Sequence, residues 1–273
     1  IEEGKPPYEA GVSQRDVDYL HIINLKAAEA AYQAGKGKMV NGFAVIPLEV
    51  AAKEGILFFA PEPKSPHGCD VTPDGKYVVV GGKLDTHATV FDFEKMKTLI
   101  AAGDFAGKDP YGVPILDFQK SIKGQVELGL GPLHTVFDDQ GNAYTSMFVE
   151  SKIAKWSLSE MKLLEKIPME YNIGHITAAH GDTVKPRCHW VVGHNKWAID
   201  RFADVGPLLP QNFQLVDVSG PGMQLVYNLP IPLGEPHYTQ IVAADVIQAI
   251  DHYSPIGTDP LTWQLDARAT EGG

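Results

Sequence analysis

Two stretches of the chain repeat one design, and that repetition limits the folds open to it more than any other feature. Pro66-His67-Gly68-Cys69-Asp70-Val71-Thr72-Pro73-Asp74-Gly75-Lys76-Tyr77-Val78 reads as strand, Asp-Gly turn, strand, and so does Leu133-His134-Thr135-Val136-Phe137-Asp138-Asp139-Gln140-Gly141-Asn142-Ala143-Tyr144. In each, a His opens the first strand, a turn Gly follows eight or seven residues later, and an aromatic sits just past that Gly. The runs Ile56–Phe59, Lys76–Val80 and Thr89–Phe93 have β-type composition and are bounded by Pro, Gly and Asp-Gly. A second tier of strands follows the two units, at His87–Phe93 and Ile153–Trp156. Antiparallel strands on tight turns, recurring at intervals of about 40–70 residues, describe an all-β chain of β-propeller blades with insertions. At about 40–45 residues per blade, the chain supplies about four blades. A β-sandwich is the alternative.

Helices enter this pattern only as interruptions. Ser13-Gln14-Arg15-Asp16 resembles a capping box, and behind it Val17, Leu20, Ile23, Ala27 and Ala30 recur at helical spacing up to a stop at Gly35. Short helical insertions are expected at about 94–102 and 157–166. Because no helix alternates regularly with the strands, a βαβ sheet is not expected. The resulting division is a helix-containing blade segment at 1–64, His-bearing blades at 65–245 and an irregular tail at 246–273.

Composition excludes several classes. The 34 acidic against 23 basic residues give a net charge of −11, which is the wrong sign for nucleic acid or an anionic membrane surface. No apolar run reaches the roughly 18–20 residues that span a bilayer, so no membrane span is expected. Cys69 and Cys188 form no CxxC pair and no thiolate metal box. They read as buried small hydrophobes, with a single bridge as the alternative.

Four of the ten histidines share a local grammar: His67 in Ser-Pro-His-Gly, His134 in Gly-Pro-Leu-His, His175 in Ile-Gly-His and His237 in Gly-Glu-Pro-His. Each follows a Pro or Gly turn and precedes an expected strand. The start of a blade's innermost strand lies at one mouth of the central channel, so equivalent positions on successive blades aim at a common axis. Converging imidazoles without carboxylates or thiolates suit copper or zinc rather than calcium or magnesium. His21, His87, His180, His189, His194 and His252 lack this context and read as ordinary turn or packing residues.

The residues now carry a family likeness. Ser-Pro-His-Gly-Cys-Asp-Val-Thr-Pro-Asp-Gly-Lys-Tyr, Gly-Leu-Gly-Pro-Leu-His-Thr-Val-Phe-Asp and Gly-Asn-Ala-Tyr-Thr-Ser-Met-Phe resemble nitrous-oxide reductase, as do Asp200-Arg201-Phe202, Val205-Gly206-Pro207-Leu208 and Glu235-Pro236-His237. The likeness runs from Glu2 to about Asp245. It leans towards the atypical, or clade II, branch on the strength of the insertion Asp104–Lys120 and the string Phe148-Val149-Glu150-Ser151.

The resemblance implies a periplasmic denitrification enzyme that reduces N2O to N2 and water with two electrons and two protons. It implies a seven-bladed propeller whose hub holds CuZ, a sulfide-bridged tetranuclear copper cluster on seven histidines. By motif, His67, His134, His175 and His237 match four of the seven. The others are a His-His pair and one further His, and no His-His pair occurs in this sequence. The cupredoxin domain with its CuA site is also not matched, so the expectation is the second half of the catalytic propeller, unable to complete the cluster alone. Lys196 in His-Asn-Lys-Trp and Glu235 match catalytic positions beside the cluster. Calcium is implied at Glu2, the Val12 carbonyl, Asp18 and Ser65, and at the Lys196 carbonyl and Gln211. Ser65 and Gln211 stand where the family has Asn and Glu, which weakens a hard-cation site. A homodimer and a cytochrome c or cupredoxin electron donor are implied as partners. Two other functions compete: a propeller hydrolase using one hub metal, which needs carboxylate ligands, and a non-catalytic scaffold, which needs no hub histidines.

Overall fold

The computed structural model describes residues 18–62, 64–187, 189–196, 211–231 and 236–245. The chain divides into two compact units, Ile1–Ile241 and Val242–Gly273. The first unit carries every element described below.

It is a partial β-propeller. Three antiparallel four-stranded sheets follow one another along the chain. The first comprises β5 (Pro66–Val71), β6 (Tyr77–Gly82), β7 (His87–Asp92) and β10 (Ile122–Glu127). The second comprises β11 (Pro132–Phe137), β12 (Asn142–Met147), β13 (Lys152–Ser157) and β14 (Lys162–Pro168). The third comprises β15 (Ile173–Ala178), β16 (Trp190–Asn195), β17 (Asn212–Asp217) and β18 (Gln224–Pro230). Strand order within each follows the chain, and β11 packs between β5 and β15. These three first strands therefore stand side by side, and their starting residues share one end.

Alternation along the strands explains the stacking. On β6, Val79 enters the core shared with Phe137, Ala143 and Trp156 of the next sheet, while Val78 and Val80 enter the core with Leu20, Ala60 and Leu116 on the other side. On β12 and β13, Tyr144 and Ile153 pack with Ile173, Val191 and Val216, whereas Ala143 and Ala154 face back. A strand buried on both faces reads as a continuous apolar run, as Tyr77–Gly82 does. A close approach of two sheets depends on glycine: a Cβ on Gly81 would sit 2.4 Å from the Leu133 carbonyl oxygen and 2.6 Å from that of Pro132.

A fourth sheet precedes these and departs from the regular pattern. β1 (Tyr19–Ile23) pairs antiparallel with β4 (Leu57–Pro61), which pairs in parallel with β9 (Pro114–Ile115), itself joined to β8 (Gly107–Lys108). The 104–120 insertion supplies β8 and β9, so this sheet mixes strand directions. Between β1 and β4 lie α1 (Leu25–Gln33), the hairpin β2 (Lys38–Val40) and β3 (Phe43–Val45), and α2 (Leu48–Lys53). α3 (Phe93–Ala102) and α4 (Phe118–Ser121) separate β7 from β10.

Three sequence expectations need correction. The helix expected from Val17 begins at Leu25, because Tyr19–Ile23 pairs residue for residue with β4 and Asn24 caps the helix, its Oδ1 accepting from Ala27 N at 3.1 Å; the expected cap at Ser13 lies outside the described residues. The expected helix at 157–166 is a turn followed by β14, whose main chain is satisfied by pairing with β13. By contrast, a helix forms at Phe93–Ala102, where Asp92 accepts from Glu94 N and Lys95 N at 3.1 Å. Cys69 is a free, exposed thiol rather than a buried or bridged one, because His67, Cys69 and Val71 share the exposed face of β5. It is crowded enough that partial desolvation, then Glu62 and Asp70, push the thiol up to about 11. Cys188 lies outside the described residues.

Candidate functional site

Each of the three regular sheets opens with a His near the start of its first strand: His67 on β5, His134 on β11 and His175 on β15. Because those strands are neighbours, the imidazoles meet. Ring centroids are 5.0 Å apart for His67 and His134, 4.3 Å for His134 and His175, and 6.4 Å for His67 and His175. His237, two residues into the segment 236–245, brings its ring to 4.1 Å from that of His175. The shared Pro/Gly-turn context thus assembles four side chains spread over 170 residues of sequence into one cluster.

Backbone fit makes the assembly possible. Gly68, at φ +95, lies against the next sheet so closely that a Cβ would be 2.3 Å from the Leu133 carbonyl oxygen and 3.1 Å from His134 Cα. Any other residue there would part His67 from His134.

The cluster is electrostatically built for neutral rings. Burial first, then His67, Lys196 and His237, lower His134 to about 4. Burial first, then the His134, Lys196, His237 and His67 neighbours, lower His175 to about 3. In that neutral state the buried Nε2 of His134 and Nδ1 of His175 have no hydrogen-bond partner among the described residues. Buried polar nitrogens are normally paired, so two orphans in one cluster call for a ligand that takes a lone pair or gives a hydrogen. Among the described residues, no three His, Cys, Asp or Glu side chains surround a single ion position. The donors form an extended array of imidazoles rather than one tight cage.

Lys196 joins this array. It follows β16, is only 6% exposed, and its Nζ lies 3.3 Å from His237 Nδ1. An ammonium only donates, so Nδ1 of His237 accepts. Gly174 makes room for it: a Cβ there would lie 2.5 Å from Lys196 Cδ and 2.6 Å from Cε. Glu235 lies outside the described residues.

The residues expected to bind calcium are described only in part. Glu2 and Val12 lie outside the described residues. Asp18 lies just ahead of β1, its carbonyl accepting from Glu62 N at 2.9 Å. Ser65 is buried and its carbonyl accepts from Lys83 N at 2.9 Å, while that of Gln211 accepts from Ile231 N at 2.7 Å. Glu62, which sequence reading passed over, is pushed up to about 7 by burial and by Asp18.

Two further groups lie near the cluster whose roles the sequence does not single out. Asp70 is pushed up to about 7 by burial; it accepts from Thr135 N of the next sheet at 2.7 Å, which opposes that shift, and Asp182 adds to it. His194 is fully buried on β16 and lowered by burial. The partners of both are distant in sequence, so no local signal marks them. Of the other histidines, His87 Nδ1 lies 3.0 Å from Asp85 Oδ1, and the His21 ring packs on Phe59 at 4.6 Å.

Comparison with known proteins adds a consistent picture. Residues 166–237, which include His175, Lys196 and His237, match the nitrous oxide reductase propeller repeat. The chain is 34% identical over 252 residues to nitrous-oxide reductase of Stutzerimonas stutzeri, covering 87% of this chain and 38% of that protein. It is also 34% identical over 266 residues to nitrous-oxide reductase of Cupriavidus necator, covering 89% and 39%. The chain therefore spans about two fifths of the length of these relatives. Among solved structures, Kuenenia stuttgartiensis hydrazine synthase aligns at a TM-score of 0.43 and 12% identity, over 71% of this chain and 53% of that one, a likeness too slight to bear on function.

Proposed function

Because this chain corresponds to part of the propeller region of the nitrous-oxide reductase family, we propose that His67, His134, His175 and His237 are copper ligands of a centre that reduces N2O to N2 and water. The observation that carries this reading is the convergence of four imidazoles, two with buried ring nitrogens that nothing described pairs. Neutral nitrogen donors suit copper, and the spread of the rings suits a polynuclear group of the copper–sulfide kind better than a lone ion.

When bound, copper supplies the two electrons that cleavage of the N–O bond consumes. The chain's own residues do the rest. His134 offers Nε2 and His175 offers Nδ1. His237 spends its one lone pair, at Nδ1, on the Lys196 ammonium, so it becomes a ligand when that hydrogen bond is given up. The buried Lys196 ammonium holds a hydrogen-bond donor and a proton at the cluster edge, where the departing oxygen needs two protons to leave as water. Glu235 returns protons to Lys196 or orients His237. Calcium at Asp18 and at the Lys196 carbonyl, a periplasmic setting, a dimer and a small redox-protein donor complete the proposal.

The chain supplies four of seven imidazoles on this reading, so alone it binds copper substoichiometrically and does not turn over N2O, whereas a longer parent that adds three more does. Copper and sulfide analysis with N2O consumption under a reduced dye test it. In the parent, His134→Ala or His175→Ala abolishes turnover and lowers copper content. Full copper and full turnover in either variant, or four coppers with steady turnover in the isolated chain, overturn the reading.

A further inference from the structure

His67, His134 and His175 stand on strands whose main chains are paired to their neighbours, but His237 does not. Residues 236–243 form no strand. Side-chain hydrogen bonds tie this segment to the sheet that carries His175.

The fully buried His194 is placed to do this. Its Nδ1 lies 3.0 Å from the main-chain oxygen of His175, and its Nε2 lies 3.0 Å from Thr239 Oγ1. A carbonyl oxygen only accepts, so Nδ1 carries the hydrogen. Nε2 is then the acceptor and the Thr239 hydroxyl donates. The Thr239 carbonyl in turn accepts from Thr177 Oγ1 at 3.0 Å. One imidazole thus ties the backbone of His175 to the residue two beyond His237, and the Thr177–Thr239 bond repeats the tie two residues beyond His175.

We propose that His194 is a positioning residue: its one donor and one acceptor set the distance between His175 and His237, and so determine whether those two rings can serve one metal group. This rests on the copper-ligand reading, but the distance between the rings can be measured without metal.

The full metal-free chain is labelled at histidine, and ring-to-ring nuclear Overhauser contacts are measured in wild type, His194→Leu, His194→Gln and Thr239→Val. Cu(I) affinity is measured on the same proteins by competition with a chromogenic chelator. A Gln amide can donate to the His175 carbonyl and accept from Thr239, so it should keep the His175–His237 contact and close to wild-type affinity. His194→Leu and Thr239→Val should lose that contact while keeping the one between His134 and His175, and should bind Cu(I) about 10–100-fold more weakly. Thr239→Val removes a single bond at little cost in folding, so it decides the matter if His194→Leu does not fold. A retained His175–His237 contact with unchanged affinity in Thr239→Val overturns the proposal, as does a Gln variant as impaired as the Leu one. Wild-type chain whose Cu(I) binding is indifferent to His134→Ala would instead sink the ligand reading, and the ring contacts alone would then decide the role of His194.

Discussion

At the start of β11 the buried Nε2 of His134 has no hydrogen-bond partner among the described residues, whereas just past the other end of the same strand the buried Asp138 carboxylate accepts four hydrogen bonds. Those four come from Gln140 N and Asn142 N at 2.8 Å, Asn142 Nδ2 at 2.7 Å and the Tyr144 hydroxyl at 3.0 Å. The Asp74 turn of the preceding sheet is built alike, with Thr72 Oγ1 and Lys76 N donating to Asp74 at 2.7 and 3.1 Å. Unpaired buried polar atoms cost stability and paired ones return it. The turn end therefore contributes to folding, and the histidine end is a place where folding tolerates a cost for the sake of a ligand.

The largest test of that contrast is Asp138→Ala. It strands the buried Tyr144 hydroxyl and the half-buried donors of Asn142 and should cost roughly 3 kcal/mol in chemical denaturation, while His134→Ala in the metal-free chain should cost under about 1 kcal/mol. Equal losses would break the comparison. Gly81→Ala comes next. Its Cβ would press on two main-chain oxygens of the neighbouring sheet, so a loss of about 1–3 kcal/mol is expected, with weaker copper binding as the sheets part. Wild-type stability and copper uptake in that variant would show that the sheets can yield there.

The smallest effect is on pH dependence, and it sharpens the comparison by sign. His134 at about 4 and His175 at about 3 lie below their ordinary value, so the unfolded chain binds more protons there and stability falls as pH drops from about 6.5. Glu62 and Asp70 at about 7 lie above theirs, so the folded chain binds more protons and stability falls as pH rises from about 4 to 7. His194 is lowered too, so three imidazoles oppose two carboxyls, and metal-free wild type should lose only a little stability as pH falls from about 6.5 to 4.5. The double variant His134→Gln/His175→Gln should then lose stability as pH rises, and Asp70→Asn should lose it as pH falls. Urea midpoints across that range read both slopes, and parallel slopes in the two variants would refute the assignment.

Much of this architecture was legible because it is written locally. Asp74-Gly75 and Gln140-Gly141 mark hairpin turns by residue type, with Gly75 at φ +69 and Gly141 at φ +84, and the strands on either side follow by composition. The clustered histidines were legible from the Pro or Gly turn before each; the strand expected after it forms at His67, His134 and His175 but not at His237, because residues 236–243 form none. The helix expected at 157–166 failed for the opposite reason. Its residues can follow either period, and the free edge of β13 decided the matter by offering main-chain partners. Tyr19–Ile23 lost its helical reading in the same way to β4.

That this is a blade-forming chain, that it turns at Asp74-Gly75 and Gln140-Gly141, and that His67, His134 and His175 open strands were all readable in the sequence, since each depends on residues within one hairpin. Only the tertiary structure decided which groups near the cluster are paired. His194 acts on residues 19 and 45 positions away, and Asp70 on one 65 positions away. The rotation of a sheet onto its neighbour sets such contacts, and that rotation follows from packing both faces of every strand at once, which no short window of sequence encodes.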